Sequence, residues 1–253
     1  MFLSYMYSSS SYAPINTYGA FGLESMVTQY SVDSEPQTVP IYQTSRTTYD
    51  TYKTVADEQS VVFLNPQRPS TPFIDKAGEI SQHIAQAFFL TTSEQLPGDI
   101  KITIASRDEL IKQNLAFINN SVVGLSINAT REVFVAAASM DEVMLTVGHE
   151  LGHIITPVAK TPQEEEAKAF AFEKAWAKVI FEHDVAGLKN SINAAAFAPA
   201  KNGLHDVALN FVNNNSEAEP MELFSSISTG RITQQQIIEG AALQPSLTPI
   251  KPL

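Results

Sequence analysis

Residues 139–157 read SMDEVMLTVGHELGHIITP, and this stretch decides the fold. Ser139 followed three residues later by Glu142 is a capping-box signature, which starts a helix at Met140. Met144, Val147, Leu151, Ile154 and Ile155 then form one apolar stripe at helical spacing, and Pro157 marks its end. Inside this helix stand His149, Glu150 and His153. Histidines at i and i+4 lie one above the other on a single face, so both imidazoles can reach one ion at about 2.0–2.1 Å. Glu150 is the neighbour that reaches a metal-activated water as general base.

Working outward, Val122–Asn128 and Glu132–Ala137 are β-branched and apolar around Ala129, Thr130 and Arg131, which suits two adjacent antiparallel strands. Ile74, Ala77, Ile80, Ile84, Ala87 and Phe88 recur at helical spacing up to about Thr91. Ile100–Ile104 reads as a short strand after the Pro97-Gly98 turn, and Asp108–Leu115 resumes a helical pattern. On the other side, Thr161, Pro162 and Glu164 form a second capping box with Pro at the first helical position. That helix runs through Phe170, Trp176 and Ile180 to about His183, antiparallel to the first. Beyond Gly187 the chain has weak helical patterns near 204–212, 221–228 and 233–238, then an extended tail. The expected domains are an arm at 1–72, a packed domain at 73–187 and a helical extension at 188–253. All eight tyrosines fall in the arm, between Tyr5 and Tyr52, and Val61–Leu64 there is a candidate edge strand.

Composition removes other classes. With 253 residues and 44% hydrophobic content the chain is long enough for a sizeable core, and no apolar run of eighteen residues offers a membrane span. The chain has no cysteine, so any metal must be held by His and carboxylates. A net charge of −11 disfavours nucleic acid and anionic membrane surfaces as partners. No Lys or Arg precedes Arg46, so a secretory n-region is absent and a cytoplasmic protein is expected.

A catalytic zinc needs a third protein ligand. The extended metzincin pattern would put a His at position 159 and a Gly at 156, where Ala159 and Thr156 stand. A carboxylate from the following helix remains, and Glu164, Glu165 and Glu166 stand there together.

At this point residues 74–183 resemble the gluzincin metallopeptidases, especially minimal members and ImmA/IrrE-like peptidases, whose second helix reads E-x-x-A-x-x-F. Glu164, Ala167 and Phe170 fit that frame. The resemblance implies an α+β, zincin-like domain with a short mixed sheet, an active-site helix and an antiparallel glutamate helix. It implies Zn2+ held by His149, His153 and Glu164, with Glu150 as the base that hydrolyses peptide bonds. If Glu164 only closes the Thr161 capping box, Glu165 or Glu166 takes its place. Lys168 stands where many members carry Asp or Asn to orient a zinc-bound His, so that role has no candidate here. His183 and His205 are the two histidines available to stabilise an oxyanion, although a surface role is the ordinary reading of each. His83 reads as structural.

The expected partner is a peptide or protein substrate, docked by strand addition along Glu132–Ala137. The N-terminal arm is expected to occupy that cleft, keeping the enzyme latent, to supply a tyrosine, or to be a disordered tail with neither role. The alternative reading is a non-catalytic, zinc-stabilised interaction or regulatory domain.

Overall fold

A computed structural model of the chain describes residues 62–113, 122–193 and 203–242. In chain order they form β1 Phe73–Ile74, α1 Ala77–Thr92, β2 Lys101–Ala105, α2 Arg107–Lys112, β3 Gly124–Ile127, β4 Glu132–Ala136 and β5 Ala138–Ser139. Then come α3 Met140–Ile154, α4 Pro162–His183, a 3-10 turn Val185–Gly187, α5 Leu204–Asn214, α6 Pro220–Ser228 and α7 Gln234–Ala242.

Both capping boxes start the helices they announce. The Glu142 carboxylate accepts the Ser139 N–H at 3.4 Å, and the Thr161 hydroxyl accepts the Glu164 N–H at 3.3 Å. The Thr161 hydroxyl so satisfies a donor that the first helical turn leaves without a partner, worth about 1 kcal/mol, whereas at Ser139 only the Glu142 half of the box forms a hydrogen bond. α3 is buried on nearly every side, including Val143, Met144, Leu145, Val147, Gly148, Leu151 and Ile154, so it is the central helix. α4 ends at Asp184, which takes left-handed φ of 51°.

Two glycines set how closely α3 and α4 approach. A Cβ at Gly152 would stand 2.8 Å from the Ala169 Cα, and one at Gly148 would stand 2.5 Å from the Trp176 ring. Trp176 fills the space so left, and its Nε1 donates to the Met144 carbonyl at 2.8 Å. Contacts that descend α3 from Gly152 to Met144 while ascending α4 from Ala169 to Trp176 make the pair antiparallel. They also fix the rotation of α4, so residues spaced three or four from Ala169 face α3.

The sheet has strand order β2-β4-β3, with β2 parallel and β3 antiparallel to β4. The expected hairpin is therefore present, with Gly124 opposite Val135 and Ile127 opposite Glu132. β4 sits in the middle, paired on both sides, so Glu132–Ala137 offers no free edge for strand addition. β3 is an edge strand, and it packs against α3 so closely that a Cβ at Gly124 would meet Glu150 and Thr146.

Residues 62–72, expected in the arm, pack onto the domain instead. Val62, Phe63 and Leu64 are buried, and Leu64 makes a lone antiparallel bridge to Ile192 rather than a strand. Arg68 lies 2.8 Å from both Asp141 and Glu142, tying this segment to the start of α3. The helices of the C-terminal extension also pack onto this domain. Leu209, Phe211, Phe224 and Ile237 join the same core as α3 and α4, with the Phe172 and Phe224 rings 5.4 Å apart.

Candidate metal centre

His149 and His153 stand on the α3 face turned towards α4, as their spacing predicts, with ring centroids 5.0 Å apart. Their Nε2 atoms lie 3.3 Å from each other. Each Nδ1 meets a carboxylate of α4: Glu173 at 3.0 Å for His149 and Glu165 at 2.8 Å for His153. A proton shared with a carboxylate keeps Nδ1 as the donor and leaves the Nε2 lone pair facing outwards. Two such lone pairs at this distance repel unless a cation or a proton stands between them.

The third donor is Glu166. Its Oε2 lies 3.5 Å from His149 Nε2, and His149, His153 and Glu166 form a group whose ligand atoms all fall within 4.8 Å of one another. Ligands bound tetrahedrally at about 2.0–2.1 Å are roughly 3.3 Å apart, so the two observed spacings suit one ion. Glu166 Oε2 is also buried and accepts no aligned hydrogen bond, although His205 Nε2 stands 3.2 Å away. An acceptor kept from water without a donor is the kind of atom that a cation satisfies. The donor set therefore fits Zn2+, with two nitrogens and one oxygen.

Charge follows the same geometry. Burial works against a charged His149, but the neighbouring Glu166 and Glu173 carboxylates outweigh this and hold it well above the usual histidine range. Burial opposes ionisation of Glu166 as well, yet the neighbouring His205 and His149 hold it well below the usual carboxylate range. Glu173 is pushed up by burial, which its bond with His149 only partly offsets.

Glu150 is buried beside His149, its carboxylate against the edge strand. Its Oε1 lies 2.5 Å from where a Cβ at Gly124 would be, so only glycine leaves room there. Glu164 does not join the group. Its Oε2 accepts the N–H groups of Lys160 and Thr161 at 3.1 and 3.2 Å, and its Oε1 accepts the Gln234 N–H at 2.8 Å. Those bonds close the α4 cap and dock α7, leaving the carboxylate committed elsewhere. The reason is angular. Glu166 is three residues from Ala169 and Glu165 four, so both face α3, whereas Glu164 is five away and turns off that face.

The sequence left Glu166 open as an alternative to Glu164, and a signal in its favour was within reach. The E-x-x-A-x-x-F frame also fits Glu166, Ala169 and Phe172, and Ala169 is the residue that meets Gly152. Glu165 and Glu173 fill the orienting role for which Lys168 had seemed unsuited. Of the two further histidines, His205 is brought to the site by α5 and His183 lies exposed at the far end of α4. The arm tyrosines lie outside the described residues.

Comparisons with protein-family models, with curated proteins and with solved structures find no match to this chain.

Proposed function

We propose that this chain is a zinc-dependent metallopeptidase in which His149, His153 and Glu166 hold the ion and Glu150 acts as general base. The observation that carries the reading is the convergence, within 4.8 Å of one another, of two carboxylate-backed Nε2 atoms and a Glu166 oxygen without an aligned donor, next to Glu150. Bound Zn2+ supplies Lewis acidity, acidifying water towards a pKa of about 7 and polarising a carbonyl.

The chain's own groups do the rest. Glu150 takes a proton from the attacking water and returns it to the leaving amine. The strand β3, which lies against Glu150 and has no strand on its outer side among the described residues, suits pairing with an extended peptide, which favours a protein or peptide substrate. His205, beside Glu166, holds that carboxylate and stands where a donor to a developing oxyanion is useful. Among the described residues no helix is long and apolar enough to cross a membrane.

Purified protein should hold about one zinc per chain. Glu150→Gln should keep that zinc and lose roughly 10²–10⁴-fold in hydrolysis of an unfolded protein, because the amide keeps the shape and cannot accept the proton. Equal turnover by the two proteins would refute the assignment. A second reading, a zinc-stabilised domain without turnover, draws on His205. A fourth ligand from α5 would close the site as structural zinc sites are closed. In that case zinc is retained and neither protein hydrolyses anything.

A further inference from the structure

Lys168 is the one lysine among the described residues whose burial is complete, and each of its donors has an acceptor. Its Nζ lies 3.0 Å from Glu165 Oε1 and donates to the carbonyls of His153 at 3.2 Å and Pro157 at 3.1 Å. An ammonium has three donors, so none is spare. Two of the acceptors belong to the end of α3 and the loop after it, where the last helical turn leaves carbonyls without partners. The third, Glu165 Oε1, is the atom that meets His153 Nδ1 at 2.8 Å. Glu165 Oε2 in turn accepts the Ala159 N–H at 2.6 Å, so the carboxylate is fixed at both oxygens.

We infer that Lys168 is a positioning residue for His153, locking both the backbone of that residue and the carboxylate that sets its ring tautomer. The inference rests on the zinc reading for its consequence, since an Nε2 lone pair aimed at the ion is what the tautomer provides. The backbone bond fixes where the His153 Cα sits. The Glu165 bond places an acceptor at Nδ1, so the ring proton stays there and Nε2 stays bare. A neutral side chain at 168 leaves Glu165 as a buried carboxylate without its lysine partner, free to turn away from Nδ1. His149 has no counterpart, because its acceptor Glu173 has no lysine or arginine beside it among the ion pairs of the described residues. The consequence is selective: loss of Lys168 disturbs one of the two rings.

The test uses the full chain and Lys168→Met, which keeps the aliphatic stem and removes the charge and donors. Long-range proton–nitrogen NMR of the metal-free protein reads the tautomer of each histidine ring, and competition with a chelator reads Zn2+ affinity. Wild type should show His153 protonated at Nδ1. The variant should show a mixed tautomer at His153, an unchanged pattern at His149 and zinc affinity lower by roughly 10–100-fold, the usual consequence of removing an outer partner of a ligand. An unaltered His153 ring with wild-type affinity, however far the melting temperature falls, would show that Lys168 only caps the helix. Should Lys168→Met not fold, Glu165→Gln leaves Lys168 and its two carbonyl bonds in place and has to produce the same selective change. Equal change at both rings overturns the inference. If wild type binds no zinc, the zinc reading fails by itself while the ring pattern still decides the role of Lys168.

Discussion

The two histidines of α3 are one helical turn apart and each is backed by a glutamate of α4, yet the two supports differ in kind. Glu165, behind His153, is tied to Lys168 and to the Ala159 N–H. Burial works against its charge, but the bonds to His153, Lys168 and Ala159 prevail and hold it below the usual carboxylate range. Glu173, behind His149, is deeper, with the charges of Glu150 and Glu166 acting on it, and its acidity is pushed the other way. One limb is a braced anion and the other a strained one. A cation between the rings relieves the second limb more than the first, because Glu150, Glu166 and Glu173 crowd there and no lysine or arginine pairs with them among the described residues. On the proposed reading, a bound metal completes the site.

The sharpest way to break this comparison is to remove the rings. His149→Ala and His153→Ala should each take bound zinc from about one per chain to none at micromolar concentrations, since each supplies one of three protein ligands. Metal analysis after dialysis reads this directly, and retention in either variant makes that limb irrelevant to binding. Next come the carboxylates that compete for the third place. Glu166→Ala should weaken zinc binding by several orders of magnitude. Glu164→Ala should leave affinity near wild type and lower stability by about 1–3 kcal/mol in denaturant titration, because three backbone N–H groups lose their acceptor. A larger metal loss at Glu164 would restore the assignment that the first E-x-x-A-x-x-F register suggests.

How far the sequence reaches is clear from those same residues. Ser139 and Thr161 announce both site helices because capping is local chemistry, readable within four residues. The strands at 124–127 and 132–136 follow from β-branched runs around a turn, and the HExxH histidines from helical spacing. What is not local was not legible. Glu164 and Glu166 satisfy the same frame, and only the contact of Ala169 with Gly152, across two helices, chooses between them. β4 is central because a parallel partner, β2, arrives from far earlier in the chain, so adjacency to α3 did not make it an edge. The C-terminal helices have short apolar faces that look weak alone. They become part of the core because α4 presents Phe172 and neighbouring apolar residues to receive them.

The two outer glutamates allow a finer test. Glu165→Gln and Glu173→Gln both keep a side chain at Nδ1, and both should cost zinc affinity within the roughly 10–100-fold range of outer-partner changes. Glu165→Gln should cost more. It leaves the Lys168 ammonium buried without its carboxylate, whereas Glu173→Gln also removes a charge that burial and its neighbours oppose. Chelator competition on both variants ranks them, and the reverse order would show that the braced limb is not the more valuable one.

The smallest effect expected is a pH dependence of the metal-free protein from His149, on the strained limb. His149 keeps its proton above the usual range because the Glu166 and Glu173 carboxylates stand against its ring, despite burial. A group whose pKa is raised on folding adds stability that is fully present below its unfolded value, about 6.5, and is lost as pH rises through the folded value. Glu166 is shifted the opposite way, so its contribution fades only as pH falls below about 4.5 and does not enter this window. Between pH 6 and 9 the melting temperature without metal should therefore decline. Zinc needs the ring deprotonated, so the gain in melting temperature on adding Zn2+ should grow over the same interval. Glu173→Gln removes one of the two acceptors that retain the proton, and both trends should move to lower pH in that variant. A metal-free melting temperature that climbs from pH 6 to 9, with a zinc increment that shrinks, would mean that the proton between the rings is not held by His149, and the strained limb would lose its defining property.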